Sequence, residues 1–257
     1  MRATHQCSLG LRGESRFDSF DAHGRVRAKA LFLMSHPDRI RFEVLNPLGT
    51  SAATLTSDGE NFGLLDQAER VFFTGPANQC NVERFLEVPI PPAALVQLFS
   101  GEAPVLVHLP EQASLEWDSG YVIRIQSKHG AVQTIVLELF EDDWNKPWRV
   151  QRLRVREVLV EQHGVELYRA ELRDYRAAKM AEPSRDPDGL LPDLMPSGPE
   201  CHAELPGKIR FLVPVAERDV VFEHQAVEHN PPLSNGAFTQ PIPLGVTLRP
   251  SPCRSEP

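Results

Sequence analysis

Apolar residues recur at every second position along most of this chain, and the breaks between such runs are only a few residues long. Period two marks a half-buried strand. Links this short join antiparallel neighbours, because a parallel crossover needs a dozen or more residues. The alternation predicts strands from Leu9 to Phe20, Arg25 to Ser35, Arg39 to Leu45, Ser51 to Thr56, Phe62 to Asp66 and Arg70 to Phe73. It resumes over Ser114 to Trp117, Tyr121 to Gln126, Ala131 to Phe140, Trp148 to Val155, Val165 to Tyr175, Lys208 to Val213 and Val220 to Val227. The breaks hold turn formers such as His36-Pro37-Asp38, Asp58-Gly59 and His163-Gly164.

Two mid-chain segments depart from the pattern. Asn78 to Leu86 places Val82, Phe85 and Leu86 at helical spacing behind an Asn cap, and Pro91 to Phe99 opens on proline with Gly101 past its end. The expected fold is therefore mainly β (α+β): a strongly curved antiparallel sheet forming an incomplete barrel, its concave face closed by two or more short helices. Residues 8–250 are expected to form a single domain, with tails at 1–7 and 251–257. Within it, 178–204 collects Pro183, Pro187, Pro192, Pro196 and Pro199 and reads as a proline-rich flexible insertion. From Asn230-Pro231-Pro232 onward, Phe238, Pro241, Pro243 and Gly245 suggest an extended cover.

A net charge of −8, with Lys and Arg scattered along strands, argues against nucleic acid and against electrostatic docking on anionic lipid, both of which need clustered positive charge. Cys7, Cys80, Cys201 and Cys253 include no CxxC pair, so no zinc knuckle or redox motif is written here, and one or two disulfides are possible in an oxidising compartment. Thr4-His5-Gln6 lacks the small and apolar residues that precede a lipid-modified cysteine. Met1 to Ser8 has no basic segment followed by an apolar one, so no export signal is expected in this chain.

Signatures that place catalytic groups are missing: there is no GxSxG, HExxH, glycine-rich phosphate loop or dinucleotide fingerprint, so neither a catalytic residue nor a cofactor is predicted. Glu223, His224, Glu228 and His229 are the best metal candidates, but a spacing of five on a strand would set the histidines on opposite faces, and no metal site is predicted. Glu141-Asp142-Asp143 reads as a solvated turn.

The residue that least fits its place is Leu48. Asn46-Pro47-Leu48-Gly49 connects two alternating strands, where a polar loop is the norm, so Leu48 is either packed back onto the sheet or offered to something apolar.

Asn46-Pro47-Leu48-Gly49-Thr50, the helix pair running from Phe85-Leu86 through Pro89-Ile90-Pro91 and Leu95 to Phe99-Ser100-Gly101, and the strand order around them resemble the LolB/LolA family of outer-membrane lipoprotein receptors and periplasmic lipid carriers. The ending, with His229-Asn230-Pro231-Pro232, Phe238 and Pro243-Leu244-Gly245, is similar to that of an uncharacterised LolB-related group. The resemblance implies a non-enzymatic protein, periplasmic or outer membrane-associated, that binds the acyl chains of lipoproteins and delivers them to the inner leaflet of the outer membrane, with a LolA-like carrier as a possible partner. Pro47, Leu48 and Gly49 would form the membrane-insertion loop. The helices would close the sheet over an apolar cavity, lined by Phe32, Phe42, Leu55, Phe62, Phe72, Ile123, Ile125 and Leu137 on the sheet side, with Phe85, Leu86, Leu95 and Phe99 on the helices above. Such shelter matters because an acyl chain exposes about a dozen methylenes at ~0.8 kcal/mol each. Carriage of phospholipid or another amphiphile, or a structural role in the cell envelope with a filled core, are the alternatives.

Overall fold

The computed structural model describes residues 7–22, 24–190 and 192–251, with Arg84 described in its backbone alone. The first six strands form a meander: β1 (Gly10–Asp21), β2 (Gly24–Ser35), β3 (Arg39–Leu45), β4 (Ser51–Ser57), β5 (Asn61–Asp66) and β6 (Val71–Pro76). Helices α1 (Gln79–Leu86) and α2 (Pro92–Phe99) follow. A second meander contains β7 (Ala113–Trp117), β8 (Tyr121–Gln126), β9 (Ala131–Leu139), β10 (Leu153–Gln162) and β11 (Val165–Arg173). The chain ends with β12 (Arg176–Met180), β13 (Ala203–Leu205), β14 (Lys208–Val213), β15 (Arg218–His229) and β16 (Thr247–Pro250).

One sheet holds these strands in the order β16-β6-β5-β4-β3-β2-β1-β15-β14-β11-β10-β9-β8-β7, with β12 and β13 attached beside β15. Its two end strands, β16 and β7, do not pair with each other, so the barrel stays incomplete. The fold is the curved, open, mainly β architecture that the alternation predicts. Its two meanders are joined in the middle by β1 and β15, a pairing between residues about as far apart as the chain allows, such as Leu11 with His229.

Both helices begin where local chemistry dictates. The Asn78 side chain accepts a hydrogen bond from the Asn81 N–H at 3.1 Å, satisfying one of the amides left open at the start of α1. Pro92 occupies the first turn of α2, where its missing N–H costs nothing, and Gly101 beyond the helix has φ 76. Val82 and Leu86 of α1, and Leu95, Leu98 and Phe99 of α2, pack into the apolar cluster on the concave side of the sheet.

Several expectations are corrected. The strand predicted from Trp148 to Val155 begins instead at Leu153, because Trp148–Val150 is a 3-10 turn. Asp143 is not solvated: its side chain is fully buried and receives hydrogen bonds from the Arg152 backbone N–H at 2.7 Å and from the Arg152 and Lys146 side chains. Those two cations hold its pKa far below the usual carboxylate range.

The proline-rich stretch 178–204 is tied to the rest of the chain at several points. Its ends join β12 and β13, Ser184 bridges to Leu194, Pro196 bridges to Pro232, and a disulfide links Cys201 to Cys7 with the Cα atoms 6.0 Å apart. Asn230, at φ 54, locks the same corner: its side chain accepts from the Leu9 N–H at 2.7 Å and donates to the carbonyls of Cys7 at 2.7 Å and Pro199 at 2.9 Å. Cys80 is also disulfide-bonded, whereas Cys253 lies outside the described residues, as do the expected tails at 1–7 and 251–257 apart from Cys7 and Ser251.

The histidines do not fall on opposite faces. Glu14 pairs with Ala226 and Ser15 with His224, which leaves Gln225 as an extra residue in a β-bulge. That one residue shifts the alternation, so His224 and His229 both point to the buried side, opposite Ser15 and Leu11 respectively. Among the described residues, no group of three or more His, Cys, Asp or Glu is placed to hold a metal ion.

Candidate functional site

The β3–β4 turn builds its own scaffold. The Gly49 N–H donates to the Asn46 carbonyl at 2.9 Å, and the Asn46 side chain accepts from the N–H groups of Leu48 at 3.0 Å and Thr50 at 3.1 Å while donating to the Thr50 hydroxyl at 2.6 Å. Pro47 presets one backbone angle, and Gly49 takes φ 79, which a side chain would resist. Leu48 is consequently held outward, 89% exposed. Sequence reasoning picked out Pro47, Leu48 and Gly49 but missed Asn46 and Thr50 as the clamp, although an Asn two residues before the exposed position is the signal of such a turn.

The cationic side chains behind this loop are paired with carboxylates, although Arg27 shares Asp18 with Arg25. Lys29 pairs with Glu14 at 2.6 Å, Arg27 with Asp18 at 3.2 Å, and Arg16 with Glu223. What the loop presents to an approaching surface is thus chiefly an apolar side chain.

On the concave side, Phe32, Phe42, Leu55, Phe62, Leu86, Leu95, Phe99, Ile125 and Leu137 join one buried cluster, with Phe85 and Ile123 half-buried against it. Phe99 of α2 is its hub, with ring centroids 5.4 Å from Phe32, 5.8 Å from Phe42 and 5.2 Å from Phe222. The space between α2 and the sheet is occupied by these side chains, so the apolar cavity expected there is filled. Phe72 stands elsewhere. It pairs with Leu65 while its neighbour Phe73 reaches the cluster, and its ring lies over Gly63 next to Gln240 on the outer face. Gln240 donates to the carbonyls of Thr54 at 3.1 Å and Gly63 at 2.9 Å, so the expected C-terminal cover crosses the outside of the sheet.

His224 sits in the same cluster, 5.1 Å from the Phe32 ring and 5.2 Å from the Phe99 ring, and shares a 2.6 Å hydrogen bond with the Ser15 hydroxyl. Burial, helped by the charge of Arg176, pushes its pKa down to about 3, so it is neutral at ordinary pH. His229 is fully buried, and its pKa is also lowered, chiefly by burial, with a hydrogen bond to the Cys201 backbone acting the other way.

A broad recess of about 810 Å³ opens on the other face of the sheet. Leu31 and Leu33 alternate with core residues Phe32 and Met34 and therefore face outward, between the ion pairs Arg12–Glu228 and Arg41–Glu43. No helix among the described residues is long and apolar enough to cross a membrane.

The chain matches no known protein-family model and no curated protein. Among solved structures, it is similar to a LolA superfamily protein from Nitrosomonas europaea, with a TM-score of 0.55 and 9% identity over 93% of this chain and 94% of that one. It is likewise similar to a DUF1329 family protein from Desulfovibrio piger, with a TM-score of 0.52 and 10% identity over 90% of each. The chain has the LolA-like fold.

Proposed function

We propose that this protein is a non-enzymatic, LolB-like carrier that accepts the acyl chains of lipoproteins beneath α1 and α2 and delivers them to the inner leaflet of the outer membrane. The observation that carries this reading is Leu48, held outward by its own turn at the end of a half-barrel whose concave side is apolar. Insertion of one leucine contributes only ~1.5–3 kcal/mol, enough to touch a bilayer and too little to stay there. An acyl chain would enter by displacing α2, whose flanks turn at Glu87 with φ 60 and Gly101 with φ 76. Phe32, Phe42, Leu55, Leu95 and Phe99 would then exchange contacts with each other for contacts with lipid. The Cys7–Cys201 disulfide supports an oxidising compartment such as the periplasm, and it engages the sulfur that a lipid anchor at Cys7 would need.

Leu48→Glu is expected to retain the fold and the binding of a fluorescent fatty acid but to lose transfer of an acylated cargo to liposomes by tenfold or more. Unchanged transfer would remove Leu48 from the mechanism. Mass spectrometry of co-purified lipid separates cargoes: triacylated peptide favours lipoprotein, glycerolipid favours carriage of phospholipid.

A second reading, a structural cell-envelope protein with a filled core, draws support from the tight packing around Phe99. It requires that the fatty acid fail to bind.

A further inference from the structure

The turn that carries Leu48 has a twin. Pro47-Leu48-Gly49 recurs as Pro243-Leu244-Gly245. Both glycines adopt left-handed backbone, at φ 79 and 75, and both leucines are displayed, Leu48 at 89% and Leu244 at 99% exposure. No other large apolar residue among the described ones is as exposed as these two.

The two turns leave the same end of the sheet. Val44 of β3 pairs with Ala53 of β4, Ala53 with Asp66 of β5, Asp66 with Val71 of β6, and Val71 with Thr247 of β16, which makes one row across five strands. Leu48 lies in the turn just beyond the Leu45–Ser51 pair, and Leu244 lies just before Thr247, where β16 starts alongside the start of β6. With strands ~4.8 Å apart, the two leucines stand roughly 15–20 Å from each other.

Leu244 is held there by its neighbours. The Thr247 N–H donates to the Arg70 carbonyl at 2.8 Å, and the Arg70 guanidinium packs so closely against Gly245 that a Cβ at that position would come within 2.8 Å of it. The second turn is thereby fastened to the β5–β6 connection, as the first is fastened by Asn46. Ile242 and Leu248, about half exposed, flank it.

A lone surface leucine needs no explanation. Two leucines in Pro-Leu-Gly turns at one end of one sheet, the first held by the Asn46 hydrogen bonds and the second followed directly by the Thr247–Arg70 bond, form a surface that meets an apolar layer with little ordering to be done on contact. We infer that Leu244 is a second bilayer-contacting residue and that the protein touches the membrane at two points, an inference that rests on the delivery role assigned to Leu48. Each leucine multiplies the partition into lipid by about tenfold to a hundredfold. Joined by a rigid frame, the two effects multiply, and a two-point contact also sets which way the carrier faces the bilayer.

The test is flotation of the full chain with vesicles of phosphatidylethanolamine and phosphatidylglycerol. Leu48→Glu and Leu244→Glu are each expected to lower the bound fraction tenfold or more and the double variant by the product, with unchanged unfolding midpoints; Leu244→Trp is expected to bind at least as well as the parent. Vesicle binding by Leu244→Glu equal to the parent, with Leu48→Glu defective, overturns the second contact and leaves the reading of Leu48 intact. Parent-like binding by both overturns both. As an independent readout, an environment-sensitive fluorophore on Leu244→Cys should shift to the blue when vesicles are added. The absence of a shift also overturns the inference.

Discussion

The cluster around Phe99 and the pair of Pro-Leu-Gly turns are built from the same kind of side chain and live in opposite surroundings. Phe99, Leu95, Phe42 and Phe222 have lost their contact with water, whereas Leu48 and Leu244 have kept almost all of theirs. Apolar area lowers the free energy of the folded chain only when it leaves water. The cluster therefore holds the molecule together, and the turns contribute nothing to that task.

The largest expected effect is on the cluster. Phe99→Ala should destabilise the protein by about 3–5 kcal/mol in chemical denaturation, since it empties the hub of four ring contacts. A change near zero would break the comparison by showing α2 to be loosely seated.

Next comes the corner that ties the amino terminus to the proline-rich stretch. Replacing Cys7 and Cys201 together by serine should cost about 2–4 kcal/mol, because the bridge spans a sequence separation of 194 residues. The same denaturation curve reads it, and the loss should leave vesicle flotation unaffected.

Acid provides a third probe confined to the buried side. His224 stays neutral in the folded state down to about pH 3, while the unfolded chain protonates it near 6.5. Between those values the unfolded state binds the extra proton, so stability is complete above about pH 6.5 and falls as the pH drops, by up to ~1.4 kcal/mol per unit. His229, whose pKa is also lowered chiefly by burial, acts in the same direction. His224→Gln should flatten the dependence of the unfolding midpoint on pH over this window, and an unaltered slope would show that the imidazole is not sealed under α2.

The smallest effect sharpens the contrast. Leu48→Ser and Leu244→Ser should each change stability by less than about 0.5 kcal/mol in thermal unfolding. A larger loss at either position would mean that the side chain packs against the protein after all.

Legibility differed between these regions for physical reasons. Strands announced themselves because a sheet wetted on one face demands alternation, and the helices because Asn78, Pro92 and Gly101 act on backbone groups within a turn of themselves. The Leu48 turn was legible for the same local reason. Phe72 was misplaced because Phe72 and its half-buried neighbour Phe73 lie one on each face, and adjacency alone does not say which side the helices cover. The histidine faces were misread because the bulge at Gln225 is created by the partner strand β1. Asn230 looked like an ordinary residue before Pro-Pro, although its side chain joins three segments that are remote in sequence.

By itself, then, the order of amino acids determined most of the strands, the two helices, the antiparallel linkage within the two meanders and the Pro-Gly turn at Leu48, since each depends on neighbours a few residues away; it did not show β12, β13 and β16, the parallel pairing of β12 with β15 and of β16 with β6, or that Leu48 faces outward. Tertiary structure decided the closure of the sheet through β1 and β15, the filling of its concave side by α2, and the alignment of Leu244 with Leu48. Those depend on contacts between segments up to two hundred residues apart, and such contacts are chosen by the burial of the whole surface.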